Sequence, residues 1–113
     1  MSDLDPARRP GEFVFAEGGE PAEATVREDE GLTVVLRRER ADELGLGYDY
    51  VAAWITLRVD STLEQVGLTA LFSRALADAG ISCNVLAGLR HDHLLVPADR
   101  ADEALEVLRG LRW

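Results

Sequence analysis

Between Val51 and Val59 the chain alternates, with Val51, Ala53, Ile55, Leu57 and Val59 on one side and Ala52, Trp54, Thr56 and Arg58 on the other. A period of two held over nine residues is a strand with one committed core face. The period then changes. Leu68, Leu71, Phe72, Ala75, Leu76 and Ala79 follow at steps of three, one, three, one and three, the apolar stripe of an amphipathic helix. Gly80 stands where the residue after a helix C-cap belongs. Ile81–Ala87 and His93–Val96 read as two more strands, joined by a hairpin-like turn over Gly88–Asp92. Asp99 is placed to cap a last helix with apolar positions Ala101, Ala104, Leu105, Leu108 and Leu111. Its acids lead and Arg109 and Arg112 trail, both favourable to the helix dipole.

Strand, helix, strand, strand, helix is the split βαβ order of a ferredoxin-like fold with its last strand missing. Trp113 ends the chain where that strand would begin. Leaving a central strand unpaired exposes a ladder edge. Either the N-terminal strands or a second copy of the chain must therefore complete the sheet. The expected class is α+β: an antiparallel ferredoxin-like sheet with helices on one face, completed by N-terminal strands of a partial second module.

The N-terminal half is less regular. Residues 1–11 are polar, with Pro6, Pro10 and Gly11, and read as a flexible N-terminus. Short strands are expected at Phe13–Phe15, Ala24–Arg27 and Leu32–Arg37, with a turn at Gly18–Pro21. One or two helical turns over Arg40–Leu44 end at Gly45 and Gly47. The domain plan is thus 1–11 as a tail, 12–47 as a partial module and 48–113 as a full one.

Composition narrows the partners. A chain of 113 residues, 47% hydrophobic, fills one core without staples. The single cysteine, Cys83, forms no intrachain bridge and suits a reducing, cytoplasmic setting. Met1–Pro10 has no apolar signal region, and no apolar run approaches the ~20 residues of a membrane span. A net charge of −9 repels phosphate backbones, so nucleic acid is not an expected partner, and without a spanning run neither is a membrane.

From Ala53 to Leu108 the chain resembles an ACT domain. The resemblance is carried by the strand ending in Val59-Asp60, the loop to Gly67 and the helix ending in Ala79-Gly80-Ile81. The strand Ser82–Gly88 and the run Asp92-His93-Leu94-Leu95-Val96 complete it. It is similar to small bacterial ACT proteins of unknown function, to the ACT modules of eukaryotic cytosolic arginine sensors and to those of aspartate kinases. Phe13–Leu44 is similar to the partial first module of such proteins. The resemblance implies a regulatory module, not an enzyme, that binds an amino acid where two modules meet, in a homodimer or a tandem pair. It further implies that the loop ending in Gly67, that glycine included, and Asp92 contact that ligand.

The residues themselves support a site of this kind. Backbone N–H groups of the loop Asp60, Ser61, Thr62, Leu63, Glu64, Gln65, Val66 and Gly67, with the positive end of the helix dipole, suit a carboxylate. The same loop equally fits a capping box, Ser61 with Glu64 or Thr62 with Gln65. Asp92 either pairs with a ligand cation or shapes its own turn. Asn84 either reads a ligand's polar groups or is satisfied by backbone. His91 and His93 share a strand face, yet two imidazoles fall short of the four ligands of a structural zinc, and no metal or cofactor is expected. Cys83 reads as a small core residue, and no nucleophile elbow, P-loop or dinucleotide fingerprint occurs. Trp54 has the parity of the exposed face, so it meets either a sister subunit or the N-terminal segment.

Overall fold

The computed structural model describes residues 2–18 and 21–113. The expected Gly18–Pro21 turn falls largely on residues 19 and 20, outside the described residues. In chain order the elements are β1 (Pro6–Glu17), β2 (Ala24–Glu28), β3 (Gly31–Arg37), α1 (Arg38–Leu44), β4 (Val51–Leu57), α2 (Leu68–Asp78), β5 (Asn84–Ala87), β6 (Asp92–Pro97) and α3 (Ala101–Arg109). They group into two compact units, one of Met1–Arg9 with Ala53–Trp113, the other of Pro10–Ala52.

In the first unit the strands run β1-β4-β6-β5. This is the ferredoxin-like order, with the start of β1 in the place of the missing fourth strand. Arg58 and Val59 donate their amides to the carbonyls of Asp5 and Leu4, so the pairing is antiparallel. β5 and β6 form an antiparallel hairpin registered from Asn84↔Leu95 to Ala87↔Asp92. Ala53, Ile55 and Leu57 share one core with Leu94 and Val96 of β6, Phe72 and Leu76 of α2, and Ala104 and Leu108 of α3. Both helices therefore cover one face of this sheet.

Residues 2–11, expected as a tail, are instead structural. Leu4 is fully buried in the first unit's core. Ser2 and Trp113 exchange backbone hydrogen bonds of 2.6 and 2.7 Å, tying the two chain ends together. Proline and glycine make this segment read as a tail, yet Pro6 is the first strand residue and Pro10 stands where the units divide, both tolerant positions.

α2 ends as its sequence requires. Gly80 has φ 73°, which glycine adopts without strain, and its N–H bonds the Ala77 carbonyl while that of Ile81 bonds Leu76. Arg100 adds bonds from its guanidinium to the carbonyls of Ala79 and Gly80. The start of the last helix differs from expectation. Ala98–Arg100 form a 3-10 turn, no side chain caps α3, and Asp99 points to no amide there.

Trp54 is also placed differently from its parity. It is 3% exposed, with the Arg9 guanidinium 4.1 Å from its ring centroid. Of the two occupants expected, the N-terminal segment is the one found. Ala52 is buried as well, so β4 is covered on both faces.

In the second unit β3 lies between β1 and β2, antiparallel to both, with Phe13↔Arg37 to Glu17↔Thr33 on one side and Ala24↔Val35 to Glu28↔Gly31 on the other. α1 packs Ala41 onto Val14, Val34 and Leu36. Its C-terminus is closed by Gly45 and Leu46, whose amides bond the carbonyls of Asp42 and Ala41.

Leu4→Ala separates a structural N-terminus from a tail. Urea unfolding of the full chain is expected to show a loss of about 2–5 kcal/mol, the cost of emptying a buried leucine site. A loss within about 0.5 kcal/mol, the surface value, would return residues 2–11 to a tail.

Candidate functional site

The antiparallel sheet of the first unit brings the end of β4 beside the start of β6. The loop after β4 and the β5–β6 turn consequently face each other. Between them lies a pocket of about 110 Å³. Ser61, Thr62, Leu63 and Gln65 line it from the loop, and Leu68 and Thr69 from the first turn of α2. Ala87, Gly88 and Asp92 close the other side. Asp92 supplies the one charged side chain of this lining. The hydroxyls of Ser61, Thr62 and Thr69 accompany it, a set able to hold an ammonium or guanidinium with neighbouring polar atoms.

Of the residues expected to bind a ligand, the structure brings Ser61, Thr62, Leu63 and Asp92 together across thirty residues of sequence. It sets four apart. Asp60 and Val66 do not line the pocket, and Val66 is 90% exposed. Asn84 begins β5, three residues from Ala87 and so roughly 10 Å along the strand from the pocket wall. Gly67 is the N-cap of α2 with φ 105°, a backbone that explains glycine by itself. The Trp113 ring occupies the space beside it, 3.5 Å from where a Cβ would stand.

The loop's capping pattern is half realised and displaced. Gln65 Oε1 accepts the Thr62 amide at 2.6 Å, closing a turn upstream of α2, whose first turn has no side-chain cap. The backbone cradle expected of this loop is therefore partly filled by the chain's own Gln65. Polar contact inside the pocket falls to the hydroxyls instead.

The mouth is apolar. Leu63 is 68% exposed and Leu89 72%, and they flank a second, open hollow of about 520 Å³ with Glu64 and Arg90. With Val66 these are the three most exposed large hydrophobic side chains described.

Behind the pocket wall sits a polar cluster that sequence reading did not single out as functional. His93 Nδ1 lies 2.9 Å from Thr56 Oγ1 and 3.3 Å from Trp54 Nε1, and the indole N–H also reaches Thr56 Oγ1 at 3.2 Å. The one available signal was the parity shared by Trp54 and Thr56. Burial, helped by Arg9 and His91 and opposed by Asp92, lowers the His93 imidazole below the usual histidine range. Cys83 packs against the core, and burial pushes its thiol up to about 11, which keeps it protonated and unreactive.

Two family models, each described as an ACT domain, match residues 50–110 and 1–53. Among solved structures, a protein of unknown function from Vibrio cholerae, described as a possible transport protein, is 40% identical with a TM-score of 0.90. That match covers 98% of this chain and 91% of the other. An Agobacterium tumefaciens protein is 18% identical over 87% of this chain and 81% of its own, TM-score 0.70. The ligand-free regulatory subunit of aspartate kinase from Thermus thermophilus is 11% identical over 96% and 97%, TM-score 0.70. The last two show a shared fold. No curated protein matches the chain.

Two outcomes test the wall of the pocket. A Cβ on Gly88 would stand 2.9 Å from the His91 carbonyl oxygen and 3.0 Å from His93 Nε2. Gly88→Ala is accordingly expected to cost about 1–3 kcal/mol in urea unfolding, and a neutral result would show the turn to be loosely packed. The second concerns pH. Because the folded imidazole of His93 resists a proton that the unfolded chain accepts near pH 6.5, its contribution is intact above about that pH and lost as pH falls below it. His93→Gln should flatten the fall in stability between about pH 7 and pH 5. An unchanged slope would contradict the placement of His93.

Proposed function

Because the chain belongs to the ACT domain family, we propose that it is a non-catalytic regulatory module that binds an amino-acid-like molecule between the β4–α2 loop and the β5–β6 turn, and that it works as a homodimer. The observation that carries the reading is the meeting of Asp92 with Ser61 and Thr62 at one pocket. An ammonium or guanidinium pairs with the Asp92 carboxylate, and the ligand's polar end reaches the hydroxyls of Ser61, Thr62 and Thr69. Its likeness in fold to an aspartate kinase regulatory subunit supports the regulatory part.

The pocket's size supports a shared site. At about 110 Å³ it is smaller than the roughly 300–1,000 Å³ of enclosed ligand pockets, so a bound amino acid needs more wall than one copy supplies. Leu63 and Leu89 at the mouth, with Glu64 and Arg90 of opposite charge, form a patch that complements itself across a two-fold axis. Ligand and dimer would then stabilise each other by linkage.

The exposed rim also favours a second reading, a module that docks a protein partner through the patch and binds no small molecule. A thermal-shift panel of the twenty amino acids separates the two. Under the first reading at least one amino acid, at a hundred times its Kd, adds about 2.7 kcal/mol, a shift on the order of 10 °C. Asp92→Asn should abolish that shift. No shift at millimolar concentration for any amino acid, with self-association intact, would favour the docking module.

A further inference from the structure

We propose that His93 is a positioning residue for this pocket and that its protonation opposes occupation of the pocket by a cation. The proposal rests on reading the pocket as a site for an amino-acid cation, and it begins from the hydrogen-bond roles around the ring. An indole N–H only donates, so His93 Nδ1, 3.3 Å from Trp54 Nε1, accepts. The Thr56 hydroxyl, 2.9 Å from the same nitrogen, takes the Trp54 proton with one lone pair and donates its own to Nδ1. A neutral imidazole carrying its hydrogen on Nε2 satisfies this arrangement, with the Trp54 N–H shared between Thr56 Oγ1 and Nδ1.

The Nε2 end of the ring lies beside the pocket wall. It stands 3.0 Å from the position a Cβ would take on Gly88, a residue of the pocket wall held by its amide to the His91 carbonyl at 2.9 Å. Asp92, the pocket's acid, is the residue before His93 on β6. The ring therefore backs the Gly88 end of the turn, on the strand face opposite Asp92.

Every element around the ring bears on its charge. From β1, Arg9 lies over Trp54, and from the turn His91 stands near; both disfavour a second cation. β4 contributes only Trp54 and Thr56, and β5 contributes Leu86, registered opposite His93. Asp92 alone favours the protonated ring. A ligand cation that takes up the Asp92 carboxylate removes that one favourable partner.

Protonation acts in the opposite direction on the same parts. A protonated Nδ1 no longer accepts the Trp54 N–H and instead donates to Thr56 Oγ1, so the bonds that seat the ring beside Gly88 are lost or reversed, and its charge competes with the ligand for Asp92. Both effects have the same sign. Reciprocity then requires that a bound cation make His93 harder to protonate by the factor by which a proton weakens the cation.

NMR titration of the full chain from about pH 8 to about pH 5 tests this, with L-lysine and L-arginine as probes. In the free protein carrying His91→Gln, the amides of Gly88–Asp92 should shift with the midpoint of the His93 imidazole, and adding His93→Gln, which keeps an acceptor but cannot titrate, should leave them flat. Each probe should perturb Ser61, Thr62 and Asp92 in wild type and not in Asp92→Asn. Its apparent Kd should rise at least about fivefold on acidification, with little rise in His93→Gln. A turn that ignores the His93 titration overturns the proposal whatever binds. Binding that depends on Asp92 but keeps one affinity across the range overturns the antagonism. A turn that follows His93 while neither probe perturbs it refutes the cation site itself, and leaves His93 as a brace alone.

Discussion

The antiparallel pairing of residues 4 and 5 with residues 58 and 59 is the constraint on which the ACT-like sheet depends. Without it β4 would be an edge strand, its amides unpaired beside the very loop that carries the candidate site. The same pairing brings Leu4 into the core and sets Arg9 over Trp54. The bonds between Ser2 and Trp113 then fix the far end of the chain against the first residues. Trp113 in turn lies beside Gly67 at the start of α2, so chain end, helix start and binding loop are held in one neighbourhood.

That framework decides the chemistry. Antiparallel strands deliver the loop after β4 and the turn before β6 to one end of the sheet, and the pleat aims Asp92 and His93 to opposite faces. A carboxylate thus meets hydroxyls in a small hollow, while an imidazole one residue away is sequestered behind it. A net charge of −9 makes the protein as a whole attract cations more than anions. Asp92 adds a short-range, directional preference of the same sign.

Local patterns made the helices legible. The α2 stripe and Gly80 are decided within a few residues, and Leu76 with Ile81 close the cap as that spacing requires. Elements that depend on distant partners were not readable. Pro6, Pro10 and Gly11 disguise a strand whose partner lies some fifty residues on, and Trp54 has the parity of an exposed residue until Arg9 covers it. Residue type singled out Ser61 and Thr62 of the loop and Asp92 of β6, which line one pocket, whereas the placement of Asp60, Val66 and Gly67 depends on a turn set by Gln65. Asn84 lies along β5 away from the pocket wall, and a strand position alone does not say which end of the strand meets a neighbouring loop. His93 carried a signal only as one of two histidines, since its bond to Thr56 spans 37 positions.

The most direct measurement is a crystal structure of the chain grown with an amino acid that binds it. The account predicts ligand nitrogen at about 2.7–2.9 Å from the Asp92 carboxylate, with the ligand's polar end on the hydroxyls of Ser61 or Thr62 and a second copy over Leu63 and Leu89. Ligand density elsewhere, with Asp92 turned to solvent and the Leu63–Leu89 rim bare, would contradict it.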